Sequence, residues 1–298
     1  MTGRPTRSDR GGRAYLDLQR QARRTGRNTQ ELLVRYVLER FLYRLGRTPW
    51  RDKLVLKGGM LLVVFDVRRP TQDLDMAARA LRNSPGDAIA WARDVFAVDV
   101  DDGVVFDPGS VRAAPIREAD VYPGVRVHAK ARLATAEVAL KVDVNFGDPV
   151  VPAPRRLLYP SLLGEPFEVL AYPMAAVLGE KVETMVRRGN ASTRERDFAD
   201  VWLITRAHEV DASELRSALL ATASARGTEL VPLAKALGSY AALRQRAWAD
   251  FVARAGLAGA VPERLEETVR DVGQFVDPVL SGEVTEGTWG PAAGSWTT

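Results

Sequence analysis

The sequence predicts an α+β protein: a mixed β-sheet core with helices, preceded by N-terminal helices and followed by a C-terminal helical domain. Three observations predict it. Residues 137–148, EVALKVDVNFGD, alternate cleanly, with Val138, Leu140, Val142 and Val144 on one side and Lys141, Asp143 and Asn145 on the other. Residues 29–45 place Leu33, Val37 and Phe41, and beside them Leu32, Tyr36 and Leu42, at helical spacing. After Pro173 the pattern turns helical and stays so to about residue 280. Strands first and helices afterwards fit one sheet with helices on one side.

Each element follows in order. Residues 1–12 hold Gly, Arg, Ser and Pro with almost no apolar side chain, so they predict a disordered arm. Tyr15, Leu16 and Leu18 predict a short helix over 13–25. Asn28 opens NTQE, a capping box in which Glu31 returns the bond, and the 29–45 helix follows. Residues 1–48 are thus a basic N-terminal arm with helices that pack beside a core. The core, 49–150, starts with KLVLKGG, a strand closed by glycines. MLLVVFDV then reads as a helix laid on the sheet, TQDLDMAARA as a strand, and 85–97 as a helix. Residues 104–106, 125–133 and 137–148 are the remaining strands. Residues 151–172 form a proline-rich connection over the surface with one short strand near 167–171. In the C-terminal helical domain, 173–280, Pro173 suits the first turn of a helix that Gly189 ends. Ser192 and Glu195 make a second capping box, and helices follow near 211–225, 229–255 and 262–275. Residues 281–298 are a flexible tail, with Trp289 and Trp296 able to fold back onto the body. No internal repeat is visible.

Composition narrows the chemistry. The chain has 298 residues and no cysteine, so disulfides, thiolate nucleophiles and cysteine-ligated metals are excluded. Its two histidines, His128 and His208, leave no multi-histidine metal site and little for a histidine-based triad. Carboxylates, Lys, Arg and hydroxyls must carry any reaction. No apolar run reaches the ~18 residues of a membrane span, and the basic N-terminus has no signal-peptide core, so a cytoplasmic location is expected. Charge is uneven. Twelve arginines against four acids put +8 on residues 1–48, leaving −4 on residues 49–298 of a chain at +4. That asymmetry points to an anionic polymer as partner; an Arg-rich codon bias with a frayed tail accounts for it equally.

The chemistry concentrates at R-x-T-x-D-x-D. Thr71, Asp73 and Asp75 share one face of a strand, with the two aspartate Cα atoms roughly 6.5–7 Å apart. Buried bare, two such charges would cost several kcal/mol; a divalent cation removes the conflict, and hard carboxylate oxygens suit Mg²⁺ with substrate phosphates completing its shell. Asp143, an acid in mid-strand, supplies a third ligand, and the trio can hold two metals ~3.5–4 Å apart. Gly58 and Gly59 close a strand and open a helix, where backbone N–H groups without a Cβ can approach a triphosphate. Alone, Gly-Gly also reads as a tight turn and D-x-D as surface; the combination in one strand–helix–strand unit is more specific. Thr71 faces the same point and counts among the nucleotide-site residues; phosphate added there would bring roughly −1.5 to −2 charges beside the carboxylates and is expected to abolish NTP binding.

LVLKGGMLLVVFDVRRPTQDLDMAARA and AYPMAAVLGEKVETMVRRGNASTRERDFADVWLI resemble the AbiEii/AbiGii nucleotidyltransferase toxins, which include the mycobacterial MenT enzymes. The resemblance covers about residues 50 to 205, in family order, with EVALKVDVNFGD where the family has its third acidic strand. The family opens Gly-Gly-Ser or Gly-Gly-Thr; Met60 here removes a small hydroxyl, so one side-chain contact to the triphosphate is missing. The resemblance implies a nucleotidyltransferase-type core, a phosphate contact for Lys181, and an essential acid in the R-x-[KR]-D-x-x-D run, matched by Asp197 with Asp200 a turn later. Read from the residues alone, Lys181 is also a surface partner of Glu180 or Glu183, and one of the two acids a structural partner of Arg194 or Arg196. Arg187, Arg188, Arg194 and Arg196 flank a turn where they could grip phosphate or be solvated. Arg69 is a further phosphate candidate, and His128 shares a strand face with Arg126 and Lys130, while His208 reads as surface.

By this resemblance the expected catalytic residues are Asp73, Asp75, Lys181 and Asp197. Asp73, Asp75 and Asp143 are the expected ligands of two Mg²⁺ ions, and NTP is the substrate, held by Gly58, Gly59, Thr71 and Lys181. The implied acceptor is the 3′ end of tRNA, whose modification stops aminoacylation and translation, which makes the chain a toxin with a cognate antitoxin as partner. A protein or small-molecule acceptor keeps the fold and changes the target; a non-catalytic binding module is the third possibility.

Overall fold

The computed structural model describes residues 4–67, 69–116, 123–147 and 149–297. The chain divides into two compact units. One comprises Met1–Val64, Pro70–Gly147 and Arg155–Ala171; the other comprises Phe65–Arg69, Asp148–Pro154 and Tyr172–Thr298.

The first unit is a seven-stranded mixed sheet with helices. Its elements are α1 (Arg10–Thr25), α2 (Thr29–Leu45), β1 (Leu54–Lys57), α3 (Gly58–Leu61), β2 (Leu74–Ala78), α4 (Pro85–Phe96), β3 (Val104–Ile116), β4 (Gly124–Leu133), β5 (Ala136–Asn145), β6 (Arg155–Tyr159) and β7 (Phe167–Ala171). The strand order is β3-β4-β5-β2-β1-β7-β6, with β2–β5 and β1–β7 parallel and the other pairs antiparallel. Alternation decides which face is which. Val138, Leu140, Val142 and Val144 of β5 are buried, as are Val125, Val127, Ala129, Ala131 and Leu133 of β4, and α2 packs on both strands. Phe41 of α2 meets Trp91 and Phe96 of α4 and Phe106 of β3 edge-on, so α4 closes the same face. Arg44 reaches the start of β3 through Asp102 at 2.6 and 3.0 Å, a buried pair that fixes α2 to the sheet. The opposite face keeps its charges.

Several expectations shift. The arm is shorter, because Asp9 accepts the Gly12 N–H and starts α1 at Arg10; the reading of residues 1–3 lies outside the described residues. Asn28 caps α2 through the Gln30 N–H, but Glu31 pairs with Arg27 instead of returning the bond. MLLVVF is one α-turn followed by a 3₁₀ turn. The proline-rich connection contains two strands, β6 and β7, and β7 sits beside β1 in the sheet. β7 is the strand expected near 167–171, while β6, of five residues after a run of prolines, was not foreseen.

The second unit holds α5 (Met174–Arg188), α6 (Glu195–Ala207), β8 (Val210–Asp211), α7 (Ala212–Arg226), α8 (Leu233–Leu237), α9 (Tyr240–Ala255), α10 (Leu265–Ser281), β9 (Thr288–Gly290) and β10 (Ser295–Thr297). Ser192 does not cap α6; it accepts the Arg194 N–H, and Glu195 instead pairs with Arg244. The helix expected over 229–255 breaks at Gly238, whose φ of 47° suits glycine. The tail carries structure: β9 and β10 form a hairpin, Trp289 is 4% exposed, and both Trp289 and Trp296 fold back onto Phe275. No helix among the described residues is long and apolar enough to cross a membrane.

Candidate active site

The charged face of the sheet is built by register. β2 lies between β1 and β5, with Lys57 opposite Asp75 and Asp75 opposite Asp143; in β4, Arg126 lies opposite Asp143. One row across four strands therefore reads plus, minus, minus, plus. Arg126 grips Asp143 with two parallel bonds, Nε to Oδ1 and Nη2 to Oδ2, both 2.8 Å. Lys57 is 8% exposed although charged. One step along, Asp73 stands just before β2. The Thr71 hydroxyl lies 3.2 Å from the Asp73 carbonyl and 3.3 Å from its Oδ1. The Lys141 ammonium is 3.0 Å from Asp73 Oδ2 and 3.5 Å from Asp143 Oδ2, so it bridges two of the acids. Partial burial opposes the Lys141 charge, but the bond to Asp73 and the nearby Asp143 outweigh it and raise the ammonium pKa.

Gly58 has a role the sequence reading did not give it. Its φ is +65°, and a Cβ there would stand 2.6 Å from the Cβ and Cγ of Asp75 and closer still to Oδ2. Asp75 therefore rests directly on the Gly58 backbone. Gly59 follows, buried, in α3. Since α3 is four residues long, it adds little macrodipole, and the phosphate-binding expectation rests on backbone N–H groups.

The expected three-carboxylate, two-metal cage is not assembled. Among the described residues, no three His, Cys, Asp or Glu side chains are gathered closely enough to hold a metal ion. Both oxygens of Asp143 are held by Arg126. Asp73 and Asp75 carry hard oxygen donors of the kind a divalent cation takes, and Asp75 lies opposite Lys57. The demand for positive charge at Asp73 is real, since a lysine ammonium already meets it.

The second unit has a charge cluster of its own. Lys181 Nζ donates at 2.7 Å to both Asp197 Oδ1 and Asp200 Oδ2. Arg194 Nε donates to Asp197 at 2.7 Å, and Arg69 Nε and Nη2 donate to Asp200 at 2.9 and 3.3 Å. Asp197 and Asp200 are buried, at 2% and 0% exposure. Burial alone would raise the Asp197 carboxyl, but Lys181, then Arg194 and Arg196, overcome it and hold the group well below the usual carboxylate range. Arg69 thus meets Asp200 rather than standing ready for phosphate, and Lys181 pairs with the two acids of α6 rather than Glu180 or Glu183. Arg187 is tied to Glu183, a fully buried acid that also receives Arg226 and Thr228. His128 is exposed opposite Lys141, and His208 is half-buried with Nε2 3.0 Å from the Phe65 carbonyl. Lys141 and Arg126 were missed as site residues. Their signal was present: each shares its strand's charged face.

Residues 40–271 match the family described as nucleotidyl transferase AbiEii toxin, type IV TA system. Among solved structures, JHP933 from Helicobacter pylori is similar in fold, with a TM-score of 0.52 at 14% identity, over 86% of this chain and 95% of that one. The nucleotidyltransferase toxin MenT4 of Mycobacterium tuberculosis H37Rv gives a TM-score of 0.49 at 19% identity, over 69% of this chain and 68% of its own. No curated protein matches the chain by sequence.

Proposed function

Because the chain belongs to the AbiEii nucleotidyl transferase toxin family of type IV toxin–antitoxin systems, and is therefore a nucleotidyltransferase acting on NTP with an antitoxin as partner, we propose that its acceptor is the 3′ end of tRNA and that it works with Mg²⁺. One observation carries the reading. Asp73 and Asp75 stand two residues apart at the start of β2, and Asp75 rests on the glycine turn that opens α3.

Asp73 and Asp75 would hold the ion, which when bound would neutralise the phosphates and assist attack of an acceptor hydroxyl on the α-phosphorus, as the bond to the β-phosphate breaks and pyrophosphate leaves. The chain's own residues prepare that event. Arg126 fixes Asp143 and screens its charge from the pair. Lys141 keeps Asp73 compensated until a second cation competes for it, and its long stem lets the ammonium withdraw without moving the sheet. Gly58, only part-buried and without a Cβ, would offer its backbone N–H to phosphate oxygens, with the buried Gly59 beside it. The family resemblance makes Lys181 a phosphate contact, and within its own unit Asp197 and Asp200 hold its ammonium. An extra nucleotide on a tRNA 3′ end blocks aminoacylation, which explains a growth-arresting product. The basic segment 1–48 supplies phosphate contacts that need no sequence reading.

Labelled NTPs incubated with purified tRNA, with total protein and with neither, followed by sequencing of tRNA 3′ ends, test this. Label added to tRNA and lost in Asp73→Ala is the expected result. Label on protein alone overturns the acceptor, and growth arrest undiminished by Asp73→Ala overturns the enzymatic reading.

A further inference from the structure

A cleft of about 700 Å³ opens in the first unit, between α1, α2, the turn at residues 100–102 and the loop at residues 163–167. It lies on the side of the sheet that α2 covers, away from the face that carries Asp143 and Lys141. At its wall stands Arg40, only 6% exposed. Its guanidinium is held 5.3, 5.0 and 5.5 Å from the ring centres of Tyr36, Tyr43 and Phe167, and Nη2 donates to Ser161 at 2.8 Å. Arg40 Nε has no hydrogen-bond partner among the described residues. A buried charged donor left unpaired is costly unless something supplied from outside accepts its hydrogen.

The surroundings specify what that would be. Arg10, Arg13 and Arg47 also line the cleft. Four acids line it too, but Asp17 is held by Arg7 at 2.6 Å and Asp102 by Arg44, which leaves Asp101 and Glu165 against four lining arginines. An anion with several acceptor oxygens is the complement. Arg47, at the exposed rim, sits over the Tyr43 ring with 3.4 Å between guanidinium carbon and ring centre. A guanidinium plane fixed in this way is a stacking platform for a base. The volume falls in the range of small-molecule sites. We propose that this cleft binds a nucleoside phosphate, either free or as one unit of an RNA strand, with the phosphate among the guanidinium groups of Arg40, Arg10 and Arg13 and the base against Arg47. The site is separate from the carboxylate pair and stands whether or not the tRNA reading does.

Binding measured in a chelator, on wild type and on Asp73→Ala, removes the catalytic site from the readout. The probes are UMP and a fluorescent single-stranded RNA of about twelve nucleotides, with inorganic phosphate as competitor. Saturable binding that persists in Asp73→Ala, is displaced by phosphate and weakens about tenfold in Arg40→Lys is expected. Arg47→Ala, at an exposed position, is the second variant should Arg40→Lys fail to fold, and is expected to weaken binding about threefold. UMP binding without RNA binding assigns a free nucleotide; RNA binding competed by UMP assigns a strand. No saturable binding of either probe, binding that phosphate does not displace, or wild-type affinity in the folded variants overturns the proposal.

Discussion

Gly58 and Asp75 share one small volume, and that contact makes a sharp demand on both positions. Gly58→Ala places a Cβ against the carboxylate at a φ of +65°. The backbone strain alone is about 1–3 kcal/mol, and the clash adds to it, so denaturant unfolding should register a loss of at least that size together with loss of NTP turnover. Asp197 obeys a different logic. Its folded pKa lies below its unfolded value, so its contribution is fully present above about pH 4 and is lost as pH falls toward the folded value. Asp197→Asn should therefore cost about 3–5 kcal/mol at pH 7, the penalty for leaving Lys181 and Arg194 short of a buried partner, and this deficit should shrink below pH 4 in urea titrations. A deficit independent of pH would mean that packing, not charge, is what Asp197 supplies. Both aspartates were visible in the sequence as acids at meaningful spacing. Arg194, a partner of Asp197, was legible three residues away; Arg69, a partner of Asp200, was not, because it is 131 residues from it.

Elements were legible where periodicity is long. The helix expected over 29–45 is α2, Thr29–Leu45, and the alternation of 125–133 and 137–148 reappears in β4 and β5. Most short elements escaped. The strand expected near 167–171 is β7, but β6, of five residues, and β9 and β10, of three each, fall below the length at which alternation separates from chance. The hairpin of β9 and β10 was read as flexible from its Gly and Ser content, yet its tryptophans decide its fate. Trp289 meets Phe275 edge-on at 5.1 Å and Trp296 stacks on the same ring at 5.4 Å, while their indole N–H groups reach the Thr205 and Phe275 carbonyls at 2.8 Å. Trp289→Ala should destabilise by about 3–5 kcal/mol, as other large-to-small changes of buried aromatics do. Equilibrium denaturation measures it; a change under 1 kcal/mol would show the hairpin to be detached in solution.

At the scale of the whole molecule, sheet order was the least legible feature. Nothing local says that β2 enters between β1 and β5 or that β7 returns beside β1. The positive partner of the carboxylates follows from that order. Slip β4 by one residue and Arg126 turns to the opposite face, leaving Asp143 without its two bonds. The sequence reading supplied a metal for three acids; the fold sets Arg126 on Asp143 and Lys141 beside Asp73, and the ion's proposed share falls to Asp73 and Asp75. Stripping divalent ions should accordingly abolish transfer while leaving the melting temperature within about 2 °C, under 1 kcal/mol for a domain of this size. Folding and loading then become independent events. A chain synthesised where magnesium is scarce would reach its final shape anyway, and readdition of the ion would switch on turnover within mixing time, with no refolding lag.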